Sequence, residues 1–437
     1  MASSSVIARP RRTLPSGTQA ASSFSVGTCF SRRTPSVIEK TANGHAWRLL
    51  TGSFSAILPR CGCRDGCLLT ARTPTLLIVT EGTSAMLTRR TILGVGLTGF
   101  LVSGSGVRAM VPSVPAVDQL NLTILADGTV SAFAVPVERP GLKILPPRRV
   151  ASSYRVTLRG EWGYSVLADT LAGSARSRLL IDFGYTPEAL TSNMAILGID
   201  PATIDAMVLS HGHYDHFGGL AAMLGRVRRG TPLYVGGEEA FCARLRGTDP
   251  GGPSFGELEK PDILAAGIDL RVAPTPQIVA GAAITTGRIP FVSPERPKVP
   301  SSMLPGQGCV RAGLDADRRD LDFFVDDAVH ELGTAFNLKG KGLVVIASCS
   351  HRGIVNTVRA AQAATGIDRV HAIVGGFHLV PPQTPTQALQ TLALLKALKP
   401  DYIFPGHCTG EAFIAPAIAQ MPDQVFRTVV GSQIQLT

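Results

Sequence analysis

The chain has 437 residues, which allows two or three domains, and its 45% hydrophobic and 17% charged composition is that of an ordinary globular protein. Collagen-like, coiled-coil and wholly disordered proteins are excluded. The net charge of +10 comes from residues 1–109, which hold 13 Lys and Arg against three Asp and Glu, whereas the rest of the chain holds 29 of each. Since the part expected to fold is neutral, nucleic-acid binding is not predicted.

Residues 1–85 are interpreted as an unstructured leader. They are rich in Ser, Arg, Thr and Gly, poor in acids, and show no sustained helical or strand periodicity. Two origins are consistent with this composition. The first, which we prefer, is upstream sequence translated in error, with the true start at Met86; the second is an organelle transit peptide.

Residues 86–109 resemble a twin-arginine export signal. Arg89 and Arg90 precede an apolar run of eleven residues, 92–102, and a small-residue stretch that ends at Ala109, where cleavage is predicted. The apolar run is much shorter than the roughly 20 residues of a membrane-spanning helix, so no stable span is expected. A buried helix is the alternative. The predicted location is the periplasm, or an organelle lumen if the leader is a transit peptide.

The eight cysteines divide equally between the leader and residues 110–437. Three of the leader cysteines, Cys61, Cys63 and Cys67, could bind a metal ion, but no second pair of Cys or His ligands follows them, as a zinc site of this kind would require. The four later cysteines are widely spaced and indicate no disulfide framework, although an exported protein could form a bridge. These four are Cys242, Cys309, Cys349 and Cys408.

Short apolar, β-branched runs predict strands along residues 110–437, which we expect to form the catalytic domain. The first two runs are residues 122–125 and 154–158, separated by a Pro-rich stretch at 136–147. Five more runs have the length of a buried strand, and each ends in a Gly, Ser or Pro turn that carries a polar residue. They begin at residues 179, 207, 343, 372 and 402.

Helical patterns fill the gaps between these strands, at residues 187–197, 219–226, 354–364 and 384–399. Alternating strands and helices predict an α/β sandwich with helices packed outside, in which ligands bind at the strand ends. Residues from about 245 to 335 are richer in Gly, Pro and charge and have weaker periodicity. They are predicted to form an insertion or lid over the site.

Ligand-type side chains are concentrated between Ser210 and His216, directly after the strand that begins at residue 207. His211 and His213 are two residues apart and can project toward one point, whereas Asp215 and His216 are adjacent and point apart. One metal ion cannot easily use all four side chains, but two metal sites on one loop can. Imidazole and carboxylate suit zinc, with one or two ions bound, and manganese and iron are alternatives.

This loop resembles the His-x-His-x-Asp-His motif of the metallo-β-lactamase superfamily. The upstream Asp182-Phe-Gly184 is similar to the superfamily's Asp-x-Gly turn, whose carboxylate supports the ligand loop. The resemblance extends from about residue 122 to the C-terminus and implies a four-layer αββα sandwich. Four further motifs resemble the branch of dihydropteroate synthase-like and ribofuranosylaminobenzene 5′-phosphate synthase-like proteins. They begin at Gly160, Cys349, Gly375 and Gly406.

The resemblance implies roles for further histidines. His407 matches the last metal histidine of the superfamily. Where most members have Gly-Asp, with a carboxylate that bridges two metals, this sequence has Ser-Cys-Ser-His351. His351 is therefore a candidate metal ligand, and the loss of the bridging Asp makes a mononuclear enzyme an alternative. His378 ends a neighbouring strand and is a candidate proton donor or oxyanion partner, or else a structural residue.

Other polar residues are open to two interpretations. His330 and His371 are expected to be surface or core residues without a role in the site. Arg352, beside His351, either pairs with an anionic phosphate or carboxylate of the substrate or is a solvated charge.

Metal-assisted hydrolysis of a small-molecule ester, phosphodiester or related substrate is the predicted chemistry. The cation lowers the pKa of bound water from 15.7 toward about 7, which supplies hydroxide, and it polarises the substrate oxygen. Asp215, with Asp182 behind it, orients the ligands. A transferase or synthase of the pterin or ribofuranosylaminobenzene phosphate type is the alternative, and it requires the lid to exclude water. A non-catalytic metal-binding protein and a redox iron enzyme are further alternatives. The sequence does not define the oligomeric state.

Overall fold

The computed structural model describes residues 113–148, 155–296 and 301–437, all of which fall in the unit Leu101–Thr437. The predicted leader at 1–85, the predicted export signal at 86–109 and the four leader cysteines lie outside the described residues. Among the helices that are described, none is both long enough and apolar enough to cross a membrane.

Twenty strands are present in the described part of the chain. In chain order they are β1 (Ala116–Val117), β2 (Gln119–Ala126), β3 (Val137–Arg139), β4 (Leu142–Leu145), β5 (Ser165–Ala172), β6 (Ala175–Ile181), β7 (Ala206–Leu209), β8 (Pro232–Val235), β9 (Ala243–Arg246), β10 (Ser254–Gly256), β11 (Asp269–Val272), β12 (Ile278–Val279), β13 (Ala283–Thr285), β14 (Ser301–Leu304), β15 (Phe324–Val325), β16 (Thr334–Leu338), β17 (Gly342–Ala347), β18 (Val370–Gly375), β19 (Tyr402–Pro405) and β20 (Gln433–Leu436).

The same residues form six α-helices. These are α1 (Pro187–Leu197), α2 (Tyr214–Phe217), α3 (Lys260–Ala265), α4 (Ile354–Thr365), α5 (Pro385–Leu398) and α6 (Glu411–Gln420). Local sequence sets their ends. The Thr186 side chain accepts a hydrogen bond from the Ala189 amide and Pro187 begins α1, while Gly198 ends it in the left-handed conformation at φ 71°. Thr384 and Gln387 form a capping box at the start of α5.

Two large sheets hold most of the described strands. The nine-stranded sheet has the order β11-β8-β7-β6-β5-β2-β20-β4-β3, and the seven-stranded sheet has the order β12-β13-β16-β17-β18-β19, with β1 beside β16. Strands β6, β7, β8 and β11 are parallel to one another, and so are β17, β18 and β19. Parallel neighbours end at the same edge, so each sheet gathers loops from several strands at one edge.

The sheets pack face to face, which confirms the predicted αββα sandwich. Ile124 and Val208 of the nine-stranded sheet share one buried cluster with Val344 and Phe404 of the seven-stranded sheet. A second cluster joins α1 to the outer face of the nine-stranded sheet, and a third joins α4, α5 and α6 to the outer face of the seven-stranded sheet. Each sheet therefore buries both of its faces, which explains the continuous apolar runs of its parallel strands.

Two predicted elements are wrong. Residues 155–158 form no strand, and Arg155, Val156 and Thr157 are exposed. The predicted helix at 219–226 is a 3₁₀ helix, Gly218–Ala222, followed by turns. The left-handed conformation of Gly225, at φ 74°, ends the helical pattern there.

The Pro-rich stretch at 136–147, which separates the first two predicted runs, contains the antiparallel pair β3 and β4. Pro136 and Pro140 flank β3 and therefore take no hydrogen bond away from the pair.

The segment from about 245 to 335 is not one insertion. Its middle strands complete the large sheets, because β11 pairs with β8 and β13 pairs with β16. Its two ends, together with β9, form a small sheet in the order β10-β9-β14-β15. The Gly and Pro content of the segment reflects turns between short strands rather than a separate unit. A disulfide between Cys242 and Cys309 joins the start of β9 to the loop after β14.

Candidate metal centre

Every predicted site residue lies just beyond the carboxyl end of a parallel strand. Asp182 follows β6, the loop Ser210–His216 follows β7, and His351, His378 and His407 follow β17, β18 and β19. The first two strands belong to the nine-stranded sheet and the last three to the seven-stranded sheet. The packing of the two sheets therefore decides whether these side chains meet.

The ligand loop is held by the buried carboxylate of Asp182. Its Oδ1 accepts a hydrogen bond from the Ser210 amide at 2.7 Å, and its Oδ2 accepts one from the Ser210 hydroxyl at 2.7 Å. The same Oδ2 lies 2.7 Å from Nδ1 of His216. An unprotonated carboxylate here requires the proton of His216 on Nδ1, which leaves Nε2 as a free electron-pair donor.

Three imidazoles converge to form what we call the first cluster: His211, His213 and His351. Nε2 of His211 lies 3.1 Å from Nδ1 of His213 and 3.2 Å from Nε2 of His351. Burial, with the neighbouring histidines, lowers the pKa of His211 and of His351 well below the ordinary value. These side chains are therefore neutral, which is the form of histidine that binds metal.

Asp215, His216 and His407 form the second cluster. Oδ2 of Asp215 lies 3.7 Å from Nε2 of His216 and 3.4 Å from Nε2 of His407. Both of these nitrogen atoms are buried without a hydrogen-bond partner. Burial alone would raise the pKa of Asp215, but His216 and His407 outweigh it and hold the pKa below the ordinary value, so the carboxylate is ionised.

Both clusters fit a metal ion. A tetrahedral zinc ion with bonds of about 2.0–2.1 Å to nitrogen separates its ligand atoms by about 3.3 Å. The separations of 3.1 and 3.2 Å in the first cluster match that value, as do those of 3.4 and 3.7 Å in the second. A cation would also supply the missing partner of the buried Nε2 atoms of His216 and His407.

Asp326, which the sequence did not reveal, contacts His213 on the side of the ring that faces away from the first cluster. Its Oδ2 lies 3.3 Å from Nε2 of His213 and accepts a hydrogen bond from Nε of Arg244 at 3.0 Å, and all three side chains are buried. Since Nδ1 of His213 faces the first cluster, this carboxylate fixes the ring in the orientation that ligation needs. Asp326 follows β15 in the predicted lid, where no local motif marks it.

Two neighbouring residues, His330 and Glu331, hold the backbone of the ligand loops. Nε2 of His330 accepts a hydrogen bond from the Gly212 amide at 3.0 Å. Glu331 accepts hydrogen bonds from the amides of His351 and Arg352, at 2.8 and 2.6 Å, and burial raises its pKa to about 7. His330 is thus a core residue that positions the site.

The other two residues left open by the sequence, His371 and Arg352, are buried and make contacts within the protein. His371 is a core residue whose Nδ1 lies 2.7 Å from Asp401. The interpretation of Arg352 as a solvated charge is wrong, because its guanidinium is mostly buried, donates to the carbonyl oxygens of Ile289 and Asp327, and stacks on Phe291 at 3.7 Å. Arg352 therefore joins the segment before β14 to the residues after β15.

His378 lies beside the first cluster and opens into a recess. Its ring centroid is 4.2 Å from that of His351, and its Nε2 is buried without a partner. Both histidines line a cavity of about 190 Å³, together with polar side chains that include Glu295, Arg296 and Gln390. A small molecule in this cavity would contact His378 and the edge of the first cluster.

Two free thiols, which sequence analysis left without a role, lie among the histidines. Cys349 and Cys408 are buried, with their sulfur atoms 3.1 Å apart, and Sγ of Cys349 lies 3.5 Å from Nδ1 of His378. Their positions in the sequence could have placed them near the site, because Cys349 comes two residues before His351 and Cys408 directly follows His407.

Comparison with known proteins agrees with this fold. Residues 147–276 match the family model of the metallo-beta-lactamase superfamily. The chain is also 30% identical over 262 residues, 59% of its own length and 84% of the relative's, to a 7,8-dihydropterin-6-methyl-4-(beta-D-ribofuranosyl)-aminobenzene-5′-phosphate synthase from Methanocaldococcus jannaschii. The chain belongs to the metallo-beta-lactamase superfamily.

Two further similarities are weaker. An uncharacterized protein of Methanocaldococcus jannaschii is 27% identical over 233 residues, 53% of this chain and 79% of that protein. The crystal structure of Tm1679, described as a metal-dependent hydrolase of the beta-lactamase superfamily, superposes with a TM-score of 0.54 at 20% identity. That comparison covers 72% of this chain and 98% of Tm1679 and establishes the shared fold.

Asp182→Asn should weaken metal binding at the second cluster. The Asn oxygen would keep the hydrogen bond from the Ser210 amide, so its NH2 group would face Nδ1 of His216 and move the ring proton to Nε2. We expect zinc affinity to fall roughly 10–100-fold, as for other outer-shell partners. Competition with a chromogenic chelator measures this.

Asp205→Asn is the matched control, because Asp205 is a partly exposed residue just before β7 that pairs with Arg228. It should bind zinc like the native protein. Equal zinc affinity for Asp182→Asn and the native chain would show that Asp182 does not set the His216 tautomer.

Proposed function

We propose that this protein is a metal-dependent hydrolase that acts on a small-molecule ester, phosphodiester or related substrate. The observation that carries the proposal is the pair of adjacent clusters, whose imidazole nitrogens and carboxylate oxygen face one another beside a recess. Within the described residues, the metal ion of the first cluster would be held by His211, His213 and His351. A second ion would be held by Asp215, His216 and His407.

Zinc suits this donor set of imidazole and carboxylate, with manganese and iron as alternatives. When bound, such a cation supplies Lewis acidity toward a substrate oxygen and lowers the pKa of a coordinated water. Asp182 and Asp326 keep His216 and His213 in the tautomers that ligation requires. Asp215, ionised in this environment, adds negative charge to the second cluster and fixes His407.

His378 is the proposed proton donor. Burial alone would lower its pKa, but the hydrogen bond and negative charge of the Cys408 sulfur, together with the charge of the Glu331 carboxylate, raise it above the ordinary value of histidine. A protonated imidazole at the wall of the recess can donate to a leaving group or to a developing oxyanion.

A synthase of the pterin or ribofuranosylaminobenzene phosphate type is the second candidate function. The 30% identity to the Methanocaldococcus jannaschii synthase, over 84% of that protein, supports it. A condensation would require the recess to close and exclude water from the reacting carbon. The two candidates differ in their products, because a hydrolase consumes one water for each bond broken.

Variants of the two histidines that line the recess, His351 and His378, distinguish a metal ligand from a proton donor. The native protein should hydrolyse at least one member of a phosphodiester, lactam, lactone and thioester panel. His351→Ala should lose metal together with activity, since it removes a first-cluster ligand, whereas His378→Ala should keep its metal and lose roughly 10²–10⁴-fold in rate. Metal analysis of each variant, beside its kcat, checks this.

Normal metal content in His351→Ala would remove that residue from the first cluster. If no panel member is hydrolysed by metal-loaded protein while a pterin and an aminobenzene derivative are condensed, the hydrolase proposal is replaced by the synthase.

We also propose that the protein is exported to the periplasm. The arginine pair Arg89-Arg90 supports this, and so does the Cys242–Cys309 disulfide, because disulfides persist in oxidising compartments. If residues 1–85 are instead a transit peptide, an organelle lumen is the corresponding location.

Replacement of Arg89 and Arg90 by Lys should leave the precursor in the cytoplasm of the native host, since the export receptor reads arginine rather than charge. Cell fractionation and immunoblotting measure the distribution. Replacement of Arg108 by Lys, outside the pair, is the control that should be exported normally. Unchanged export of the double variant would show that a different signal operates.

A further inference from the structure

The two clusters adjoin each other, since the ring centroids of His211, from the first cluster, and His216, from the second, lie 4.2 Å apart. A Cβ on Gly376, after β18, would lie 2.4 Å from the Ser348 carbonyl oxygen, 2.8 Å from Sγ of Cys408 and 3.2 Å from Cδ2 of His407. The Cys408 sulfur and the His407 ring are therefore packed closely against the backbone beside the second cluster.

Cys349 is placed to reach both clusters. Its sulfur lies within 4.8 Å of ligand nitrogens of His211, from the first cluster, and of His216, from the second, and those two nitrogens also lie within 4.8 Å of each other. Cys349 also groups in this way with His407 and Cys408. Its side chain is 3% exposed, so the sulfur is shielded from solvent.

We propose that Cys349 is a metal ligand, a thiolate that lies between the two ions in place of a bridging carboxylate. This inference rests on the proposed metal centre. On metal binding the Cys349 thiol would lose its proton to solvent and form a metal–sulfur bond, with no change in oxidation state, because a coordinating thiol is deprotonated by the cation. Zinc accepts such a ligand at about 2.3 Å beside imidazole.

Cys408 has a different part in this arrangement. Its sulfur lies 3.1 Å from that of Cys349, so its thiol can donate a hydrogen bond to the bound thiolate and position it. A sulfur ligand would also favour softer ions, zinc, cobalt and iron, over magnesium or manganese. The donor set therefore predicts a metal preference that the histidines alone do not define.

Cobalt(II) loading of the full-length protein tests the inference, because cobalt bound to thiolate has a sulfur-to-metal charge-transfer absorption in the near ultraviolet. The four leader cysteines, Cys29, Cys61, Cys63 and Cys67, are replaced by Ser so that they contribute no signal. We expect the band in this parent protein, its complete loss in Cys349→Ser, and its retention in Cys408→Ser, the matched control. Cys349→Asp should bind cobalt without the band.

The possible results distinguish a failure of the proposed metal centre from a failure of the Cys349 assignment alone. A parent protein that binds no cobalt contradicts the metal centre itself. Binding without the band contradicts only the Cys349 assignment, as do a band that persists in Cys349→Ser, a band lost from both Ser variants, and cobalt binding while Cys349 and Cys408 are joined in a disulfide.

Discussion

The buried carboxylate of Asp182 is the contact on which the ligand loop depends. It sits in the turn after β6, at φ 56°, and joins that turn to the loop after β7 through Ser210 and His216. Burying a carboxylate is costly unless hydrogen bonds compensate, and here each oxygen has a partner. The same contacts decide which nitrogen of His216 is free to bind a cation. One residue thus links the geometry of the sheet to the chemistry of the loop.

The metal centre also requires the two sheets to pack in one fixed relative position. His211, His213, Asp215 and His216 come from the nine-stranded sheet, whereas His351 and His407 come from the seven-stranded sheet. Neither sheet alone holds a complete cluster. The shared core of β-branched and aromatic residues fixes the spacing between the sheets, and close-packed interiors transmit small shifts. Core residues far from the histidines therefore determine the nitrogen separations that a metal ion needs.

The sequence predicted a site residue when the signal was local, and it failed when a residue contacts the site from a distant part of the chain. The loop from Ser210 to His216 is local, so its pattern and the preceding strand were sufficient to identify it. His351 and His407 became candidates through the resemblance to the superfamily, together with the buried strand that each follows. Asp326 was not recognisable, because it contacts His213 across 113 residues from a segment without regular periodicity. The segment at 245–335 was predicted to be an insertion or lid because its short strands, which lie between Gly and Pro turns, also lack a regular period.

The proposed metal centre has two ion sites formed by six side chains. Anomalous diffraction at the zinc edge from crystals of the zinc-loaded protein tests it most directly. We expect one peak among Nε2 of His211, Nδ1 of His213 and Nε2 of His351, and a second among Asp215, His216 and His407. Zinc-loaded crystals with no peak at either cluster, or with peaks only at other residues such as His371 and Asp401, would contradict it.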